Sequence, residues 1–409
     1  MGSPTMSGRW TSLTPLRALA LIVGALVVAA AAVLVVDRTV FSKGQRECPF
    51  VSRASSTRPE LQRILDELVS GENKLAPGVS AYVSGPKGSW SGAAGVANAS
   101  TCEPMTPTTR VRLESVSKIY TATLILQLAQ EGKLKIGDTV ARWLPGLLHY
   151  GNRITIQELL TMRSGLVDNN DMDGPEEAPY YLARVKDPRL RAQLEETLKR
   201  RQEHPEGVES PMFWIRLAAS QPLEPERGYH YSNIGYDILG LIAEKAGGAP
   251  LKALYEQRIF RPLGLRATAD DPQGPIRGPH ARGYGIEPGG KRIDATDWHF
   301  GVGAPEGGLV SDASDTAAFL TALMKGKLLN RRSLAAMEGE DLWNGGAYSS
   351  CGRAFGWSGG GNGFKTEVWV SDGADRVAVL LLNARHWGAD QAASDAAANS
   401  AMTALFCLG

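Results

Sequence analysis

Apolar residues are distributed along the chain in one unbroken run and then in two rhythms. The run is Ala18–Val36, nineteen residues without a charge or a strongly polar side chain. As a helix it would be about 28 Å long, close to the roughly 30 Å of a bilayer core. Helical spacing recurs at Thr57–Ser70, where Leu61, Ile64, Leu65 and Leu68 share a face behind Pro59, and at Ser115–Glu131, which Gly132 closes. The segments Ile234–Ala246, Leu251–Phe260, Asp312–Met324 and Asp390–Phe406 read the same way, with more polar helices over 180–220. Thr155-Ile-Gln-Glu158 is a capping box opening a short helix to Met162. Strand rhythm appears in Val79–Val83 and Ser89–Val96 around the turn Gly85-Pro86-Lys87-Gly88. It returns in Val368–Val370 and Val377–Leu382, a hairpin around Asp372-Gly-Ala-Asp375, while Asp168–Glu177 is an acidic loop. No internal repeat is present. The pattern predicts an α+β fold: a central antiparallel sheet built from both chain ends, flanked by helices, with an all-helical insert between about 140 and 300.

Composition changes this picture in two places. Lys and Arg number 44 against 43 Asp and Glu, a formal charge of +1, so no large basic face is available for a nucleic-acid partner. Hydrophobic residues are 43% of the chain, enough for a globular core and against wholesale disorder. Arg9 and Arg17 precede the apolar run with no acid among them, which places residues 1–17 in the cytoplasm and 18–36 in the membrane as an anchor. A cleaved signal sequence, with Ala29–Ala32 near the cut, is the alternative; the apolar run continuing through Val33–Val36 favours the anchor. Residues 37–56 are mixed in charge and read as an extracytoplasmic stalk with a reach of about 25 Å. The catalytic unit is then 57–409. Cys48, Cys102, Cys351 and Cys407 fall outside the cytoplasm, where disulfides persist, and four cysteines allow three pairings. With no Cys-x-x-Cys and no His-Glu-x-x-His, neither a metal site nor a cofactor is expected.

Three constellations carry chemistry. Ser115-Val-Ser-Lys118 opens a helix, so the serine and lysine project from one face a turn apart. The serine amide there sits at the positive end of the helix dipole, and the lysine can act as a base if burial lowers its pKa. The other Ser-x-x-Lys, Ser84-Gly-Pro-Lys87, lies on a proline turn that cannot present both side chains this way. Tyr231-Ser-Asn233 precedes the helix from Ile234: a phenolate is a strong base and Asn supplies both donor and acceptor, whereas Tyr150-Gly-Asn152 lies in a loop. Gly356-Trp-Ser-Gly-Gly360 formally matches a nucleophile elbow at Ser358, with Asp372 or Asp375 and His386 in triad order. That motif requires a helix after the serine, and here a Gly-rich strand and hairpin follow.

Together, Ser115-x-x-Lys118, Tyr231-x-Asn233 and the Gly-rich third box, in that order, resemble the penicillin-recognising serine enzymes. The similarity is greatest to secreted D-alanyl-D-alanine carboxypeptidases and class C β-lactamases, and extends over about 57–409. Glu131-Gly-Lys-Leu-Lys135, Trp143-Leu-Pro-Gly146, the stretch from Ile154 to Leu166, Pro262-Leu-Gly-Leu265 and Gly307-Gly-Leu-Val-Ser311 support it. The resemblance implies a β-lactamase/transpeptidase-like fold in which Ser115 is acylated. It further implies that Lys118 and Tyr231 share the proton work and that Asn233 positions Lys118 and the substrate amide. The amides of Ser115 and Gly360 would form the oxyanion hole. It also implies a Cys351–Cys407 bridge, which leaves Cys48 with Cys102.

The third box departs from the family. Where Lys or His, Thr and Gly are usual, this chain has Trp357, Ser358 and Gly359. A tryptophan supplies no positive charge to Tyr231 or to a substrate carboxylate; Ser358 would remain as a weaker anchor. No basic residue lies between Asp341 and Cys351 either, where such carboxypeptidases can place an arginine. Trp at this position is similar to β-lactamase-fold carboxylesterases. The expected function is a membrane-anchored extracytoplasmic serine hydrolase forming an acyl-enzyme on Ser115, a D-Ala-D-Ala carboxypeptidase or β-lactamase-like enzyme acting on small-molecule or peptide substrates such as cell-wall peptides or β-lactams. An esterase is the alternative, and a non-catalytic penicillin-binding or sensor protein a further one.

Overall fold

The computed structural model describes residues 48–49, 52–53, 57–70, 74–168, 178–203, 210–224, 228–270, 276–298, 305–338, 347–349, 351–361 and 363–409. The apolar run at 18–36, the segment before it that was expected in the cytoplasm and most of the expected stalk lie outside the described residues. Among the described residues no helix is long and apolar enough to cross a membrane.

The centre is an antiparallel sheet made from the two ends of the chain. Its strands are β1 (Ser52–Arg53), β2 (Gly78–Gly85), β3 (Gly88–Asn98), β4 (Ala347–Ser349), β5 (Gly352–Gly360), β6 (Lys365–Ser371) and β7 (Val377–Leu382). They lie in the order β1-β3-β2-β7-β6-β5-β4, and Glu103–Pro104 pairs additionally with β3. The halves join where β7 pairs with β2, Val379 opposite Tyr82 and Leu381 opposite Ser80. All six residues of β7 are buried, because helices cover both faces of the sheet there. One face packs on α1 (Pro59–Val69) and α5 (Gln391–Leu408): Val79, Ala81, Ala378 and Leu380 meet Leu61, Leu65, Met402 and Leu405 in one core. On the other face Val377, Val379 and Leu381 join a larger core with α2 (Ser117–Gln130), α3 (Asn233–Gly247) and α4 (Ala313–Met324).

Local signals explain the element ends. Thr155 Oγ accepts from the Glu158 amide while the Glu158 carboxylate accepts from the Thr155 amide, the reciprocal capping box. Asp312 caps α4 by accepting from the Asp315 amide at 2.8 Å. Gly132 and Gly248, which follow α2 and α3, have φ of +70° and +69°, a turn that a Cβ would strain.

The insert needs a correction. Helices run through it as far as Leu263, but Ala269–Asp270, Tyr284–Ile286 and Arg292–Asp294 are strands, so it is not all-helical to 300. Tyr284–Ile286 runs parallel to Ala384–His386, and Ala269–Asp270 pairs with Leu309–Ser311. Strands of two or three residues are too short to display a two-residue period, and they exist through their distant partners. Both disulfides are present as the resemblance implied: Cys351–Cys407 ties the start of β5 to the end of α5, and Cys48–Cys102 ties the chain before β1 to the loop after β3.

Candidate active site

Ser115 sits in a single 3-10 turn, Glu114–Val116, that leads directly into α2. Two bonds hold this turn against the strand Leu309–Ser311: the Leu113 amide donates to the Leu309 carbonyl, and the Leu309 amide donates to Ser117 Oγ. Glu114 has φ of +51°, a left-handed conformation uncommon outside glycine, so the backbone just before Ser115 is strained.

The serine hydroxyl is 2.7 Å from the Tyr231 hydroxyl and 3.3 Å from Lys118 Nζ. Lys118 is fully buried. Its ammonium donates to Ser115 Oγ, to Asn233 Oδ1 at 2.6 Å and to the Glu306 carbonyl at 2.8 Å. An ammonium has three protons, and all three are committed. Burial alone would lower its pKa, but Tyr231, Glu306 and Asp168 outweigh that and leave it raised. The condition set for a lysine base, a pKa lowered by burial, is therefore not met in this arrangement, where three acceptors surround the ammonium. The Tyr231 ring centroid is 5.0 Å from Lys118 Nζ. Tyr236 is also near the lysine, at 5.7 Å, but its hydroxyl donates to the Leu160 carbonyl and burial pushes its pKa far up. Tyr150 is likewise no rival, since its buried hydroxyl donates to the Ala218 carbonyl.

Asn233 begins α3, with Ser232 capping the helix through the Gly235 amide. Asp168 orients it, accepting from the Asn233 amide at 2.7 Å and from Nδ2 at 3.1 Å, so that Oδ1 is turned to Lys118. Sequence reading assigned Asp168 only to an acidic loop. Its one available signal was position, directly after the apolar Leu166 and Val167, since a carboxylate that follows buried residues needs a donor. Glu306 was also missed, and contributes through its backbone. Asp237, one turn beyond Asn233, is a buried carboxyl pushed well above its ordinary pKa by burial and by the Glu306 charge.

The third box divides between the two faces of β5. Gly359 faces the nucleophile turn: a Cβ there would lie 2.4 Å from the Leu113 carbonyl oxygen and 3.2 Å from the Ser115 nitrogen. Two residues back on the same face, Trp357 is half-buried against the larger core. Ser358 points the other way. Its hydroxyl accepts from Lys365 Nζ at 2.6 Å and donates to Glu367 Oε1 at 2.9 Å, across the register pair Ser358–Glu367. The expected substrate anchor at Ser358 is thus corrected by strand alternation, which sends neighbouring side chains to opposite faces. The nucleophile-elbow alternative fails with it. Ser358 lies within a strand, and the His386 ring donates to the Leu75 carbonyl at 3.0 Å rather than completing a triad. Among the described residues no three His, Cys, Asp or Glu side chains are placed to hold a metal ion.

Comparison with known proteins agrees with this fold. The Beta-lactamase family model matches residues 61–402. An N-acetylmuramyl-L-alanine amidase of Bacillus subtilis is 26% identical over 289 residues, 63% of this chain and 59% of that protein. Esterase EstB of Burkholderia gladioli is 30% identical over 52% of this chain and 51% of its own length. The chain thus spans less than two thirds of each of these relatives. A D-stereospecific amidohydrolase from a Streptomyces species superposes with a TM-score of 0.65 at 26% identity, covering 83% of this chain and 97% of that one. With a family model matched over most of its length and the same antiparallel sheet and flanking helices, the chain belongs to the beta-lactamase family of serine hydrolases.

Proposed function

We propose that the protein hydrolyses small amides or esters through an acyl-enzyme on Ser115, on the outer side of a membrane to which segment 18–36 anchors it. The observation that carries the reading is the contact of Ser115 Oγ with the Tyr231 hydroxyl at 2.7 Å beside a lysine whose protons are all committed. In the reaction the Tyr231 phenolate takes the Ser115 proton as Oγ attacks the carbonyl carbon. The tetrahedral oxyanion is held by the Ser115 and Gly360 amides. Tyr231 returns the proton to the leaving nitrogen or oxygen, and the bond to that atom breaks. Water, activated by Tyr231, then releases the acid and regenerates Ser115.

The substrate class follows from the pocket face of the third box. Trp357 brings no cation and Ser358 is turned away, so the third box itself offers no positive charge to a leaving-group carboxylate. Uncharged leaving groups, an amide nitrogen or an alcohol, fit better than a D-alanine. Cell-wall peptide cleavage of the D-Ala-D-Ala type is the second reading, favoured by the intact Ser115, Lys118, Tyr231 and Asn233 array. Full-length protein incubated with a fluorescent penicillin, p-nitrophenyl esters, D-amino acid amides and a D-Ala-D-Ala peptide tests both, beside Ser115→Ala. Ester or amide turnover lost in Ser115→Ala supports the proposal, and turnover of the peptide above the esters and amides selects the second reading. Absence of both covalent label and turnover refutes acyl-enzyme chemistry. Trp357→His is expected to increase penicillin acylation or carboxypeptidase activity; no change in either contradicts the role given to position 357.

A further inference from the structure

The back of the third box holds the charge that its front lacks. Arg385 follows β7 on the short strand Ala384–His386, and its side chain is 14% exposed. The guanidinium lies against Gly360: a Cβ on that glycine would be 2.9 Å from Arg385 Cζ and 3.0 Å from NH1. Glycine at 360 is therefore matched to the arginine, not demanded by the backbone. NH1 donates to Asp395 on α5, which also receives Lys365 Nζ at 3.1 Å; Lys365 in turn pairs with Glu367 at 2.9 Å. Arg385 also acts on Glu114, whose carboxyl abuts Gly361, where a Cβ would be 2.2 Å from Oε2. One cation thus lies behind Gly360 and within electrostatic reach of the residue that precedes Ser115.

We propose that Arg385 is a positioning residue for acyl transfer, acting through Gly360 to fix and polarise the oxyanion-binding amide from behind β5. This rests on the acyl-Ser115 reading. Two of its requirements meet in the geometry. The charge lies against the glycine whose amide receives the developing oxyanion, and the side chain is mostly buried, where its field is less screened than in water. Asp395 holds the guanidinium in place and offsets part of its charge. A purely structural role, stapling α5 to the sheet through Asp395, makes the opposite prediction for a variant that keeps the charge and loses the staple.

The test is the pre-steady-state burst of p-nitrophenol from an ester substrate, with kcat, KM and melting temperature, on full-length protein. Arg385→Met is expected to slow acylation about 30-fold, less than loss of a direct oxyanion donor, with KM within about threefold. Arg385→Lys, which retains the charge, is expected to recover most of that loss. Asp395→Asn, which keeps the arginine and removes its partner, is expected to acylate at least as fast as wild type even if it melts lower. Arg385→Met acylating within about threefold of wild type overturns the proposal. So does a loss in Asp395→Asn equal to that in Arg385→Met, which would assign both to the staple. If wild type is neither labelled nor turned over, the acyl-enzyme reading falls and this proposal with it; wild-type acylation with an unaffected Arg385→Met refutes this proposal alone.

Discussion

Replacing Glu114 by Gln should stabilise the protein above neutral pH and leave it nearly unchanged in acid. Burial pushes the Glu114 carboxyl from 4.5 up to about 7, even though Arg112, Lys118 and Arg385 all pull it down. A carboxyl raised in the folded state holds its proton more tightly there than in the unfolded chain. The folded protein is therefore undisturbed below about pH 4.5 and loses stability as pH rises through 7. A shift of that size amounts to about 3 kcal/mol once the group is ionised in both states. Gln has the same shape and no charge, so the variant avoids this penalty. In a catalytic unit of this length the gain corresponds to roughly 4 °C in melting temperature. Urea unfolding with the disulfides intact, at pH 5 and at pH 8.5, measures it. The expected difference in favour of Gln is below about 1 kcal/mol at pH 5 and about 3 kcal/mol at pH 8.5. A difference independent of pH, or Gln the less stable at pH 8.5, would refute the assignment of Glu114 as a buried acid.

Two further outcomes follow from the geometry. Cys351→Ser with Cys407→Ser opens a loop whose ends are 56 residues apart, for which chain entropy gives about 4 kcal/mol; a loss below about 1 kcal/mol in urea unfolding would contradict that account. Gly359→Ala places a Cβ where the Leu113 carbonyl oxygen lies 2.4 Å away, pushing β5 off the nucleophile turn. Acylation should fall about 100-fold, as when an oxyanion donor is displaced, and wild-type acylation rates would disprove the close approach.

Much of the fold was legible because its signals are short-range. The capping box at Thr155, the hairpin between Val368 and Leu382 and the helical face of Thr57–Ser70 each involve residues within a few turns of one another. Spacing likewise placed Ser115 and Lys118 on one face, and the polar pair Tyr231 and Asn233 at the start of a helix. What spacing cannot specify is where a group's partners come from. Lys118 reads as base or cation only once its acceptors are known, and two of them, Asn233 and the Glu306 carbonyl, lie 115 and 188 residues away. Asp168 orients Asn233 from a segment that the sequence marked only as an acidic loop.

The third box marks the boundary most clearly. Its composition by itself established that a tryptophan replaces the usual cation, since residue identity needs no coordinates. The tertiary structure decided which of its residues face the nucleophile. Register against β6 turns Ser358 to Lys365 and Glu367, leaves Gly359 against the Ser115 turn, and sets Arg385 behind Gly360. The physical reason is the two-residue period of a strand: sequence determines that neighbours part to opposite faces, and only packing determines which face holds the chemistry.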